Sequence, residues 1–272
     1  MYAAKIVADS ISPDGTRLTT MEVTFPRIVL AEFNTHRVFS RNSASARAIP
    51  FAVTSKRILE APFVPEEWGS NKPGMQAGGS IADPSKASEV WLEARDHALD
   101  CAARLHELGV HKQLVNRLLE PFMWHTVLVT STEWENFLNL RCHPDAQPQI
   151  QIPARMMRDA LSAAEPVPRS AGDWHLPLVS DEEREGHLVA ELRWISAGRC
   201  ARVSYLTHYG VRDTQADIDL AFKLVAAKHM SPFEHQASPL THGRPASTGG
   251  NLRGWMQFRK MLDGESVFRD RP

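Results

Sequence analysis

The chain has 272 residues, 43% of them hydrophobic and 23% charged, and a formal net charge of -1. This is the composition of an ordinary soluble globular protein with room for one large domain or two small ones. Near-neutrality argues against a nucleic-acid partner, which needs an excess of Lys and Arg over a whole domain. No apolar run of about 18 residues is present to span a bilayer, and Met1 to Ser12 lacks the apolar core of a signal peptide. Cys101, Cys142 and Cys200 are too few and too scattered for a disulfide framework or a C-x-x-C pair. A cytoplasmic protein with three buried thiols and no membrane partner is expected.

In chain order, Thr20 to Phe25 alternates polar and apolar residues and predicts a half-buried strand that Pro26 ends. Arg27 to Phe33 reads as a short helix with Pro26 at its start. Residues 50 to 84 are rich in Pro and Gly and are expected to form a long irregular excursion. From Asp83-Pro84 to Leu108 the residues Val90, Trp91, Ala94, Ala98, Cys101, Ala102, Leu105 and Leu108 recur at helical spacing, with Gly109 as the stop. His111 to Leu119 predicts a second helix before Pro121, and Met123 to Val129 a buried strand. Thr132 to Glu135 has the pattern of a capping box ahead of a helix carrying Trp134, Phe137 and Leu138. Residues 165 to 190 read as a connector, and Ala216 to Lys228 as an amphipathic helix. The alternation of helices with short strands is that of an α+β fold.

Thirteen residues from Thr35 to Arg47, T-H-R-V-F-S-R-N-S-A-S-A-R, contain three Arg, three Ser, one His and one Asn. Arg offers a planar fork of donors that matches phosphate, and Ser and Asn add short-range donors. A solvated basic loop is the plainer alternative. The spacing resembles the R-H-R-x-x-S-x-N-x-x-S-x-R signature of the flavin-dependent thymidylate synthases, with His36, Arg37, Ser40, Asn42, Ser45 and Arg47 in register and Thr35 in place of the first Arg. Two further segments are similar to the same family. Asn136-Phe-Leu-Asn-Leu-Arg141 followed by Ala146-Gln147 matches its N-F-L-N-L-R…A-Q stretch, and Arg117-Leu-Leu-Glu-Pro121 its A-R-x-x-L-P. Taken alone, Arg117 and Arg141 are also what a helix C-terminus favours. Ala201-Arg-Val-Ser-Tyr205 and His229-Met-Ser-Pro-Phe-Glu-His235 match segments that precede the signature in the family and follow it here, a circularly permuted order. Permutation is tolerated where chain ends meet at the surface.

The resemblance implies a single domain over residues 1–272, a mixed sheet with helices, and a homotetramer whose active sites are built from several subunits. It implies reductive methylation of dUMP to dTMP, with FAD as cofactor and NADPH and methylenetetrahydrofolate as co-substrates. By the same carry-over, Ser45, Arg47 and Arg117 bind the nucleotide phosphate, and Arg141 is catalytic, stabilising charge that develops on the pyrimidine. Glu32, Thr35, Ser43 and Ala46 line the nucleotide pocket. His36, Arg37, Asn42, Asn136, Ser204, His229, Ser231 and Glu234 hold FAD. Residues 250 to 265 receive no role.

No metal is expected, because His229 and His235 are six residues apart with Pro232 between them, unlike the helical spacing of H-E-x-x-H. Departures from the family bear on the substrate. Thr35 replaces an Arg, Ser43 a common Glu, Ala46 a Gly, Ala48 a Tyr, and Glu32 stands where Gln is usual. An ionised Glu only accepts hydrogen bonds, which suits the exocyclic amine of cytosine. A methyl- or hydroxymethyltransferase acting on dCMP or another pyrimidine nucleotide is therefore an alternative, and a non-catalytic flavin- or nucleotide-binding protein is a second.

Overall fold

In the computed structural model, residues 1–210, 212–241 and 245–265 are described. A five-stranded sheet runs through the centre. Its strands are β1 (Ala3–Ile11), β2 (Arg17–Pro26), β3 (Ser40–Ser43), β4 (Trp124–Ser131) and β5 (Val167–Pro168), in the order β3-β4-β2-β1-β5. All neighbours are antiparallel except β1 and β5. Period-two alternation gives each strand two faces. Met21 and Val23 on β2 pair with Val129 and Val127 on β4, and all four are fully buried on one face.

Nine α-helices are present among the described residues: α1 (Leu30–Asn34), α2 (Phe51–Glu60), α3 (Pro84–Glu107), α4 (Lys112–Val115), α5 (Glu135–Arg141), α6 (Pro148–Ala163), α7 (Asp181–Gly186), α8 (Val189–Arg202) and α9 (Thr214–Ala226). The face of Met21 and Val23 is covered by α6 through Ile150, Ala154, Met157 and Leu161, whose spacing of four, three and four residues makes one helical stripe. The opposite face is covered by α8, where Cys200 packs on Leu128 of β4. A second small sheet pairs β6 (Ala237–Pro239) with β7 (Trp255–Gln257). The architecture is mixed α+β with the sheet in the middle layer.

Several expectations are corrected. The excursion at 50–84 contains α2, which buries Thr54 and Ile58 one turn apart; Pro50 at its N-cap is a helix start rather than a break. The helix expected at 27–33 is a 3-10 turn, Arg27–Val29, followed by α1. The helix at 111–119 is a single α turn continued as a 3-10 helix from Asn116 to Phe122, with Pro121 inside it. No Thr132 capping box forms at α5. Its N-cap is Trp134, without a side-chain cap, while the Thr132 hydroxyl accepts from Arg253 N–H. The connector 165–190 holds β5 and α7, and a capping box of Ser180 and Glu183 starts α7. Of the three thiols only Cys200 is buried; Cys101 is exposed and Cys142 half-buried. No helix among the described residues is long and apolar enough to cross a membrane.

Candidate active site

Aromatic packing brings α5 onto the end of α1. Phe137 lies edge-on to Phe33 at 5.7 Å and to the His36 ring at 4.9 Å, and Phe39 packs against Trp134. Arg141, in the last turn of α5, is thereby delivered beside the start of the basic segment. Its Nε donates to His36 Nε2 at 3.0 Å, and its Nη2 reaches the Thr35 hydroxyl at 3.2 Å and the Glu32 carbonyl at 3.3 Å. Accepting at Nε2 requires the neutral tautomer with its proton on Nδ1. Burial first, then Arg141 and Arg41, push the pKa of His36 down to about 4, so the ring stays neutral near pH 7. Arg141 is therefore held only by uncharged acceptors. Among the described residues no carboxylate pairs with it and no acceptor is bonded to its Nη1. Glu32, whose backbone carbonyl takes Arg141, has its side-chain Oε2 sealed from solvent without a donor.

Strand β3 carries the middle of the segment along the sheet edge. Arg41 Nη1 donates to the Asn34 carbonyl at 3.1 Å, and burial lowers its pKa while Glu234 opposes the shift. Asn42 Nδ2 donates to the Cys200 carbonyl at 3.1 Å, leaving Asn42 Oδ1 buried without a donor. Beyond the strand, Ser45 N–H donates to the Ser204 carbonyl at 3.0 Å. This contact joins the basic segment to the A-R-V-S-Y stretch at the end of α8. The next turn is pinned by Asn116, whose Nδ2 donates to the Ala46 and Ile49 carbonyls at 2.8 and 3.0 Å, and by Lys112 Nζ on the Ala48 carbonyl at 2.8 Å.

The structure thus brings together Glu32, Thr35, His36 and Arg141, and separately Ser45 with Ser204. Glu234 comes to the same strand: it shares an ion pair with Arg259, and Ser40 and Arg41 are among the groups acting on its carboxylate. Burial raises its pKa overall. Arg37 and Arg47 are exposed, and Ser43 is half-buried on β3. Arg117 turns instead to Glu120 at 2.6 Å, a carboxylate it shares with Arg27. No hydrogen bond or ion pair joins Arg117 to Arg47 or Arg141 among the described residues. Asn136, His229 and Ser231 are exposed. Next to the basic segment, Ala44, Ala46, Arg27, Arg57, Glu60 and His125 help to line a cavity of about 270 Å³.

Residues near the C-terminus also enter the site. Asn251 Nδ2 donates to the Val38 carbonyl at 2.7 Å and lies within 3.0 Å of Ser40 Oγ. Gln257 Nε2 donates to the Glu234 carbonyl and to Asn251 Oδ1, both at 3.0 Å. Ser40 and Asn251 are 211 residues apart in sequence. No local pattern marks such a contact; the polar residues Asn251 and Gln257 on either side of a Gly-rich turn were the only available signal.

A family model described as Thymidylate synthase complementing protein (Thy1) matches residues 16–167. The match spans more than half of the chain, which belongs to this family. The matched stretch contains the basic segment, Arg117 and Arg141, whereas Ser204, His229, Ser231 and Glu234 lie beyond it. Two crystal structures of a UMP/dUMP methylase, PolB from Streptomyces cacaoi, bound with 5-Br dUMP and with 5-Br UMP, are similar to the chain at 18% identity. Each gives a TM-score of 0.49 and covers 60% of this chain, with 90% and 89% of the methylase chains covered. No curated protein matches the sequence.

Proposed function

We propose that the protein is a flavin-dependent pyrimidine nucleotide methylase that converts dUMP to dTMP. The observation that carries this reading is the contact of Arg141 with neutral His36, which joins two segments of the family pattern around a guanidinium that no carboxylate among the described residues neutralises. Such a group is available to an anion or to charge developing on a ring oxygen, and in a site shielded from water that interaction is strong.

The residues fit a phosphorylated flavin and a nucleotide. Arg37 and Arg47 are exposed, and Asn42 and Glu32 carry acceptor atoms that nothing among the described residues satisfies. In this reading FAD, reduced by NADPH, supplies the hydride that must accompany the one-carbon unit of methylenetetrahydrofolate. The chain's part is placement. Arg37, Asn42, Ser204 and Glu234 flank the strand where the flavin would lie, with Asn136, His229 and Ser231 as surface contributors. Ser45 and Arg47 would hold the phosphate through charge-assisted hydrogen bonds, and Arg141 would orient the pyrimidine and stabilise its anionic form. Arg117 joins that phosphate site by leaving Glu120 or from a neighbouring subunit of a homotetramer. His36 keeps Arg141 aimed without cancelling its charge.

One observation favours a second reading. Glu32 Oε2 is shielded and lacks a donor, and a carboxylate in that state is satisfied by an N–H. The exocyclic amine of cytosine supplies one, whereas C4 of uracil carries only an acceptor, so dCMP is the alternative substrate. Addition of FAD to the purified protein tests the common part. A bound flavin spectrum that bleaches anaerobically with NADPH is expected, and a protein that takes up no flavin overturns both versions.

A further inference from the structure

The turn from Gly249 to Gly254 faces the basic segment across a cavity of about 430 Å³, lined among others by Arg37, Val38, Glu133, Asn251, Arg253 and Gly254. Its shape is built in. Gly250 has φ +60 and ψ -118, a conformation closed to ordinary L residues, and a Cβ there would meet Gln257 Oε1 at 2.4 Å. Gln257 is 1% exposed, and it holds Asn251, which in turn holds the Val38 carbonyl. The backbone next to Arg37 and the backbone next to Arg253 are therefore tied to each other through the half-buried Asn251 and the buried Gln257.

Two guanidinium groups consequently share one cavity. Arg37 has no ion-pair partner among the described residues. Arg253 is 77% exposed and pairs with Glu133 at 3.1 Å, while its N–H is fixed to the Thr132 hydroxyl. An exposed pair of this kind is weak, so an incoming anion exchanges with Glu133 at small cost. Two forks that each match phosphate bidentately suit a diphosphate better than a single phosphate.

We propose that Arg253, with Arg37, binds the diphosphate of a dinucleotide in this cavity, so that the turn 249–254 is part of the cofactor site. The identity of the dinucleotide as FAD rests on the proposed function; the anion site itself does not. Glu133 is the counterion that the diphosphate displaces. Arg253 lies on the surface, and its replacement leaves the contacts of Asn251 and Gln257 in place.

The test measures the Kd of the full chain and of Arg253→Ala and Glu133→Gln for FAD, riboflavin and inorganic pyrophosphate. FAD affinity is expected to fall at least tenfold in R253A and to rise severalfold in E133Q, with riboflavin unchanged in both and pyrophosphate following FAD. Equal FAD and pyrophosphate affinity in R253A and the natural protein would overturn the proposal. So would a loss of riboflavin affinity equal to that of FAD at an unchanged melting temperature, because the lost contact would then lie at the part that riboflavin shares with FAD and not at the diphosphate. Arg253-dependent pyrophosphate binding without any flavin binding would retain the anion site and sink the flavin reading instead.

Discussion

Arg141 donates from Nε to His36 Nε2 across 3.0 Å, so this guanidinium is steered by a ring that carries no charge. A carboxylate in the place of His36 would orient the guanidinium equally well and neutralise it. Keeping the partner neutral leaves the charge for a ligand.

Arg141→Ala is expected to lower nucleotide turnover by about 10²–10³-fold, the usual cost of removing one preorganised donor to developing charge, with little change in thermal stability. Arg141→Lys recovers little, because an ammonium on a flexible stem lacks the fixed fork that reaches His36 and Thr35 together. Single-turnover rates together with melting curves check this.

Glu32→Gln tests the choice of base. Adding a donor to the shielded oxygen is expected to shift the ratio of dUMP to dCMP turnover at least tenfold toward dUMP, in the range of about 1–3 kcal/mol that a buried hydrogen-bond mismatch costs. An unchanged ratio measured in competition would remove Glu32 from base recognition and the cytosine reading with it.

Stability should depend steeply on acid. His125, His175 and His235 are buried, and burial pushes each pKa down to about 3. His175 bonds Ser10 and Thr20, and His235 bonds Thr130, in one line of hydroxyls that crosses the sheet. The unfolded chain binds these protons near pH 6.5 and the folded chain only near pH 3. Between those values the unfolded state holds more protons, so stability is complete above about pH 6.5 and falls with pH by up to about 1.4 kcal/mol per histidine per unit. Urea midpoints from pH 7 to pH 4 should drop accordingly, and His175→Asn should flatten the slope.

The packing of α8 on α9 gives two further expectations. A Cβ at Gly198 would sit 2.2 Å from the Asp217 carbonyl oxygen, so Gly198→Ala must separate the helices and should cost about 1–3 kcal/mol or more. Asp217, itself 1% exposed, takes Arg199 Nε at 2.9 Å and Arg202 Nε at 2.6 Å. Asp217→Ala leaves the buried Arg199 with Glu183 as its one charged partner among the described residues, beside the Leu178 carbonyl, and should cost about 3–5 kcal/mol. Denaturant titration of each variant measures both.

Strands β2 and β4 and helix α3 are legible in the sequence for different reasons: β2 shows polar–apolar alternation from Thr20 to Phe25, β4 is an apolar, β-branched run buried on both faces, and α3 carries a helically spaced stripe that buries Ala102 and half-buries Trp91, Ala98 and Leu105. Strand β1 is not legible, since most of its residues are half-buried on both faces and alternation is blurred. Helix α6 hides behind Pro148 and Pro153, the first of which sits at its opening turn. At the site, the pattern T-H-R…S-x-N…S-x-R predicts a cluster, and Arg141 lies against its first two residues, Thr35 and His36. The partners that hold the cluster in shape, Asn116, Asn251, Gln257 and Arg259, come from distant parts of the chain as single polar residues. Their roles depend on tertiary contacts that carry no local periodicity.

Tritium release from [5-³H]dUMP, with FAD, NADPH and methylenetetrahydrofolate present and dTMP followed in the same reaction, tests the central claim most directly. Release matched by dTMP in the natural protein and nearly abolished in Arg141→Ala is the expected result. Flavin bound and reduced, with no release from either dUMP or [5-³H]dCMP, would contradict it and leave a flavin-binding protein without this chemistry.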